Sequence, residues 1–190
     1  MSASAMQIFL TMIAMLDLAN ASPEKVEEAE CRITNLANAI NSYSIEYDAD
    51  PIRLIAMAFQ ESRFMYDHPD GWAESHAGAC GPFQQIPRYA HPRDEPIDCA
   101  GLQDPYEATR RVIAKLENMT QRFGPVEESI CHYASGNVCT ERGQGYAERH
   151  HTYYARAQRI HRRIGQNEIV SPQQQIYQER SQVTSCDCPH

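Results

Sequence analysis

Between Asp50-Pro51 and Phe64 the chain carries a helical stretch that is apolar on nearly every side, with Ile52, Leu54, Ile55, Met57 and Phe59 spread around its axis. A helix without a broad polar face has to sit inside a protein, so the segment predicts a central, buried helix. The flanks supply elements to enclose it. Ser22-Pro23 is a cap followed by proline at the first helical position. After it, Val26, Ala29, Ile33, Leu36, Ile40 and Tyr43 recur at steps of three and four and mark one buried stripe. Asp104-Pro105-Tyr106-Glu107 has the form of a capping box and opens a helix carrying Thr109, Val112, Leu116, Met119 and Phe123, stopped by Gly124-Pro125. A shorter helix is expected over Val126–Ala134. A last long one covers Tyr146–Ile164, with Tyr146, His150, Tyr153, Ala157, Ile160 and Ile164 as its seam. No alternating strand pattern and no internal repeat interrupts this series. At 190 residues it predicts one mainly α domain over 22–165, followed by a polar, Gln-rich tail over 166–190 that carries no period.

The formal net charge of -8 argues against a nucleic-acid partner. Seven cysteines (Cys31, Cys80, Cys99, Cys131, Cys139, Cys186 and Cys188) lack the recurring close pairs of a zinc site, and no metal or other cofactor is expected. The spacings of Cys80 to Cys99 and Cys131 to Cys139 suit short disulfide-closed loops in an oxidising compartment, although spacing alone does not fix pairing. Seven is odd, which leaves at least one thiol free or paired with another chain. At the N-terminus, Ile8–Leu16 has the length of a signal-peptide apolar run, and Ala19-Asn20-Ala21 has a small-x-small cleavage pattern. Residues 1–21 are therefore expected to be a removable leader and the product secreted or periplasmic, with no stable membrane insertion after processing. An amphipathic first helix or an uncleaved anchor is the competing reading, because no Lys or Arg precedes the run and Asp17 follows it.

One residue on the central helix carries chemistry. Glu61 shares the face of Leu54, Met57 and Ala58 near the helix C-terminus. Burial of an unpaired carboxyl disfavours its charged form and raises its pKa, which is what a general acid working near neutrality needs. The plainer alternative is a surface glutamate paired with Arg63.

Further along, Ala58-Phe59-Gln60-Glu61-Ser62-Arg63-Phe64 is followed by Gly78-Ala79-Cys80-Gly81-Pro82-Phe83-Gln84-Gln85-Ile86-Pro87. Then come His132-Tyr133-Ala134-Ser135-Gly136 and Gly145-Tyr146-Ala147. In this order and spacing the segment from about Ile45 to Ile164 resembles the lytic transglycosylases and goose-type lysozymes of the lysozyme superfamily. The resemblance implies a lysozyme-like fold and cleavage of the β-1,4 bond between N-acetylmuramic acid and N-acetylglucosamine in peptidoglycan. It implies Glu61 as the catalytic acid, with Ser62, Gly81, Phe83, Gln84, Tyr133 and Tyr146 around the substrate. Tyr146 is matched to the tyrosine that hydrogen-bonds the glutamate.

Two departures from the family pattern bear on the reaction. Ala134 stands where the family usually has asparagine. A second carboxylate, which hydrolysing relatives use to position water, has to come from Asp67, Asp70 or Glu74 in the loop after Glu61. Without one, the resemblance implies a transglycosylase that forms 1,6-anhydro ends. A hydrolytic muramidase, a non-catalytic glycan-binding module, and a wall-opening component of a secretion, conjugation or virion assembly are the alternatives. Trp72 is either a sugar platform or a lid on the core. The arginines of the last helix are either a solvated face or a contact with anionic wall.

Overall fold

The computed structural model describes residues 1–16, 23–65, 71–72, 74–92 and 94–166, which form eight α-helices, short 3-10 turns and no named strand. The expected processing site Ala19-Asn20-Ala21, Ser22, Asp67, Asp70 and the segment beyond Gln166 with Cys186 and Cys188 lie outside the described residues. Helices α1 (Ala3–Met15), α2 (Pro23–Glu46) and α3 (Pro51–Ser62) come first. The short α4 (Cys99–Gln103), the long α5 (Pro105–Phe123), the short α6 (Val126–Ser129) and α7 (Cys131–Ser135) follow, and α8 (Glu141–Gly165) closes the chain. The protein is a mainly α single domain.

The apolar segment is indeed the centre: Leu54, Ile55, Ala56, Met57 and Ala58 of α3 are all essentially inaccessible. Asp50 starts this helix by accepting hydrogen bonds from the Ile52 and Arg53 amides, so an orphan end is satisfied where the sequence placed the cap. The helix ends two residues sooner than its apolar pattern, because Arg63 and Phe64 both take left-handed backbone angles. That break turns the Phe64 ring back into the core. On α2 the stripe residues Ile33, Leu36 and Ile40 are fully buried.

Several boundaries differ from the sequence expectation for identifiable reasons. Asp104 caps α5 through Tyr106 N, but Glu107 does not close the expected box. Its carboxylate binds Arg110 and Arg111 one turn on. The helix expected over Val126–Ala134 is two short helices meeting at Ile130. The last helix begins at Glu141 rather than at Tyr146, with Thr140 as its cap. Within this earlier start Gly143 is a contact residue. A Cβ there would stand 2.5 Å from the Cys131 carbonyl oxygen and 2.5 Å from Ser135 Oγ, so only glycine lets α8 lie on α7.

Both expected disulfides are present. Cys80–Cys99 ties the loop after α3 to the start of α4, and Cys131–Cys139 ties α7 to the turn before α8. Residues 3–15 form a core helix in this chain. Ile8, Phe9, Leu10, Met12, Ile13 and Met15 of α1 are buried against α2, α3 and α8. Among the described residues no helix is long and apolar enough to cross a membrane.

On α8, His150 is completely buried behind α3, and neither ring nitrogen has a partner among the described residues. Burial pushes its pKa down to about 3, and the cationic Arg53 on α3 and the neighbouring His151 push the same way. The unfolded chain takes up this proton near pH 6.5 and the folded one resists it, so the associated stability is complete above pH 6.5 and drains away as pH falls toward 3. Replacing His150 with leucine is expected to recover on the order of 2–3 kcal/mol relative to the parent at pH 4 and to gain much less at pH 7. Thermal melts of both proteins across that range check it.

Candidate active site

Glu61 lies in the last turn of α3 and lines a cleft of about 760 Å³, together with residues of the loop before residue 92, α5, α7 and α8. The left-handed turn at Arg63 separates the acid from its nearest cation in sequence. Arg63 donates to Tyr153 Oη and lies over the Phe59 and Tyr153 rings, so it does not pair with Glu61. Burial pushes the Glu61 carboxyl up to about 7. The Tyr146 hydroxyl opposes that shift most strongly, followed by the positive charges of Lys115, Arg142 and Arg149. The result is a carboxyl that still holds its proton near neutral pH while remaining open to a cleft.

Two tyrosines build the wall behind it. Tyr133 on α7 and Tyr146 on α8 stack with centroids 5.7 Å apart. The Tyr146 hydroxyl is directed at the acid but completes no well-formed hydrogen bond among the described residues, which leaves it available to Glu61 or to a ligand. Tyr133 is committed elsewhere: its hydroxyl donates to the Phe83 carbonyl at 2.9 Å, so it fastens α7 to the turn 81–84 instead of holding the carboxyl. Gln60 supports the same wall by donating to the Tyr146 carbonyl at 3.0 Å.

Gln84 lines the same cleft as Glu61, while Gly81 and Phe83 of its turn do not. Gly81 has φ +74, and a Cβ there would come 2.0 Å from the Leu102 carbonyl oxygen, so the turn can press against α4 only with glycine. Gln84 is half-buried, lines the cleft at φ 44, and its side-chain amide donates to the Gly81 carbonyl, which holds the turn. Gln85 sits deeper and donates to the Ala108 carbonyl.

Three residues expected around the substrate do not line the cleft. Phe83 is a fully buried core ring, and Gly81 packs on α4. Ser62 is buried, donating to Ala58 O and accepting from Phe64 N, which shapes the helix end. Of the loop carboxylates expected as a second acid, Glu74 is exposed and does not line the cleft, while Asp70 is outside the described residues. Trp72 is buried and exchanges backbone hydrogen bonds with the Gln103 amide, making it part of the core. Ala134 does line the cleft.

Lys115 was not marked by any motif. It projects from the middle of α5 with Nζ 3.6 Å from the Tyr133 ring centroid and 3.3 Å from the Tyr133 carbonyl oxygen. Desolvation lowers its pKa to about 8, and the charge of Glu61 acts against that fall. A lysine on an amphipathic helix reads as solvent-facing. Only the fold of α5 against α7 brings it beside the acid.

No family model, no curated protein and no solved structure matches this chain.

Proposed function

We propose that the chain is a lysozyme-like enzyme that cleaves the β-1,4 bond between N-acetylmuramic acid and N-acetylglucosamine in peptidoglycan. The observation that carries this reading is the desolvated, proton-holding Glu61 in an open cleft, backed by Tyr146 and faced by the Gln84 turn. Glu61 gives its proton to the glycosidic oxygen as the C1–O bond breaks, and the substrate's own N-acetyl oxygen bonds to C1. The C6 hydroxyl then displaces that oxygen, forming the 1,6-anhydro ring, and the Glu61 carboxylate takes the hydroxyl proton and is restored. Among the described residues Glu61 is the one carboxylate lining the cleft; the water-independent route needs no other, whereas hydrolysis generally needs a second. Disulfides belong to oxidising compartments, in keeping with action at the cell envelope. Mass spectrometry of digested peptidoglycan tests the reading: 1,6-anhydro ends support it, reducing ends assign a hydrolase, and absence of cleavage assigns a binding module.

Lys115 has a defined part in this scheme. Its ammonium favours the Glu61 carboxylate left after proton donation, so removing the charge raises the acid's pKa. Lys115→Met is expected to move the alkaline limb of the activity profile to higher pH, and Lys115→Arg to keep it near the parent position. A limb unmoved in Lys115→Met would remove Lys115 from the proton chemistry.

A further inference from the structure

The chain is acidic, with formal net charge -8, but its cleft is not. Among the described lining residues Glu61 is the sole acid, set against Lys115, Arg122, Arg142 and Arg149. Lys115 is beside Glu61, and Arg122 donates to Asn137 while lying over the Phe123 ring. Arg142 and Arg149 differ from both. They are exposed and make no ion pair or hydrogen bond among the described residues, although acids are abundant elsewhere on the surface. They are seven residues apart on α8, two turns or about 10.5 Å along the axis, with Tyr146 between them on the same face. Gly145 leaves room for Arg149 to lie along the helix, its Nη1 3.5 Å from where a Cβ would be. Arg142, Tyr146 and Arg149 therefore share one face of α8 and line the cleft that holds Glu61, with the Arg149 guanidinium lying back toward Gly145. The remaining arginines of the helix do not share this position: Arg156 donates to the Met15 carbonyl, and Arg159, Arg162 and Arg163 do not line the cleft.

The geometry points to a carboxylate-reading ridge formed by Arg142 and Arg149, which selects glycan strands bearing carboxylates near the scissile bond over neutral N-acetylglucosamine polymers. This rests on the glycan-cleft reading and adds what the strand has to carry. Planar guanidiniums suit carboxylates through paired N–H donors, and an unpartnered arginine at a cleft edge gives up little to bind one. In peptidoglycan the carboxylate has two sources. Strands stripped of peptide expose the lactyl carboxylate of N-acetylmuramic acid. Strands still carrying peptide have that group in amide linkage and present the peptide's own carboxylates.

The test uses the full chain carrying Glu61→Gln, so that bound strands persist, and measures affinity by calorimetry for three oligosaccharides of equal length. These are a neutral N-acetylglucosamine oligomer, a peptide-free strand with lactyl carboxylates, and a peptide-bearing strand. At least one carboxylate-bearing strand should bind about tenfold tighter than the neutral oligomer, with the gap narrowing as salt rises. The strand preferred identifies the source. Adding Arg142→Gln and Arg149→Gln, both at exposed positions, should abolish that preference while leaving neutral-oligomer affinity and the melting temperature unchanged. Equal binding of charged and neutral oligomers, or a preference that survives the double substitution, overturns the ridge and leaves the glycan cleft standing. Failure to bind any of the three overturns the cleft itself.

Discussion

Glu61→Gln is expected to abolish peptidoglycan cleavage to within the limit set by losing a general acid, a fall of about 10²- to 10⁴-fold in rate, with the fold intact. Glutamine keeps the shape and can still meet Tyr146, but it has no proton to give to the glycosidic oxygen. The same substitution has a second consequence that separates loss of chemistry from loss of structure. Glu61 titrates near pH 4.5 in an unfolded chain and at about 7 in the folded one. A raised pKa favours folding fully below the unfolded value and ceases to do so as pH climbs through the folded value. Above pH 7 the protein therefore holds a carboxylate in a site that disfavours it, at a cost on the order of 2–3 kcal/mol. The glutamine variant should melt at higher temperature than the parent at pH 8 and show little difference at pH 4. Such a gain is the signature of a functional group kept at the expense of stability. A variant with full lytic activity would remove Glu61 from the chemistry. One that is inactive but melts below the parent at pH 8 would point to damage of the fold.

How far the sequence reveals this site depends on what each residue's role requires. Glu61 was legible because two local facts suffice: an acid, and an apolar helix under it. The stripes of α2, α5 and α8 were legible because burial follows helical period. Gly81 and Gln84 were found through motif order, but the division of labour between neighbours was not. Whether Phe83 or Gln84 faces the cleft is decided by one left-handed residue, φ 44 at Gln84, which no periodic pattern encodes. Motif order sets Tyr146 apart as the partner of the acid but does not say what the Tyr133 hydroxyl bonds. The answer lies in a carbonyl fifty positions away, at Phe83, that claims one hydroxyl and leaves the other at the acid. Lys115 and Arg142 carry no local signal at all, since a cation on a helix surface looks the same whether it faces water or a cleft. The start of α8, expected at Tyr146 and found at Glu141, depends on Gly143, where the absence of a side chain lets the helix lie on α7, a contact no local pattern encodes.

The N-terminal apolar run is the case in which two physical demands write the same sequence, and it yields the largest expected change in stability. A leader's apolar segment and a fully buried helix both need a dozen residues with no charge, so composition cannot separate them. In the folded chain α1 is fastened by more than apolar contact. Gln7 Nε2 donates to the His161 carbonyl at 3.0 Å, Thr11 Oγ1 meets His161 Nδ1 at 3.0 Å, and Arg156 donates to the Met15 carbonyl at 3.2 Å. Met12 is entirely inaccessible at the centre of this contact. Met12→Asp would place an unpaired carboxylate there, and the combined loss of packing and solvation should cost about 3–5 kcal/mol. For a chain of this size that lowers the melting temperature by about 10 °C. Deleting residues 1–21 should act in the same direction, because it uncovers the faces of α2, α3 and α8 on which α1 lies. Calorimetric melts of the three proteins, with dye binding to report exposed apolar surface, provide the measurement. If the shortened chain melts with the full one and binds no more dye, α1 contributes nothing to the fold and the run is free to serve as a leader. If both altered chains melt early, the helix that resembles a leader is part of the frame that holds α8, and through it Tyr146, against Glu61.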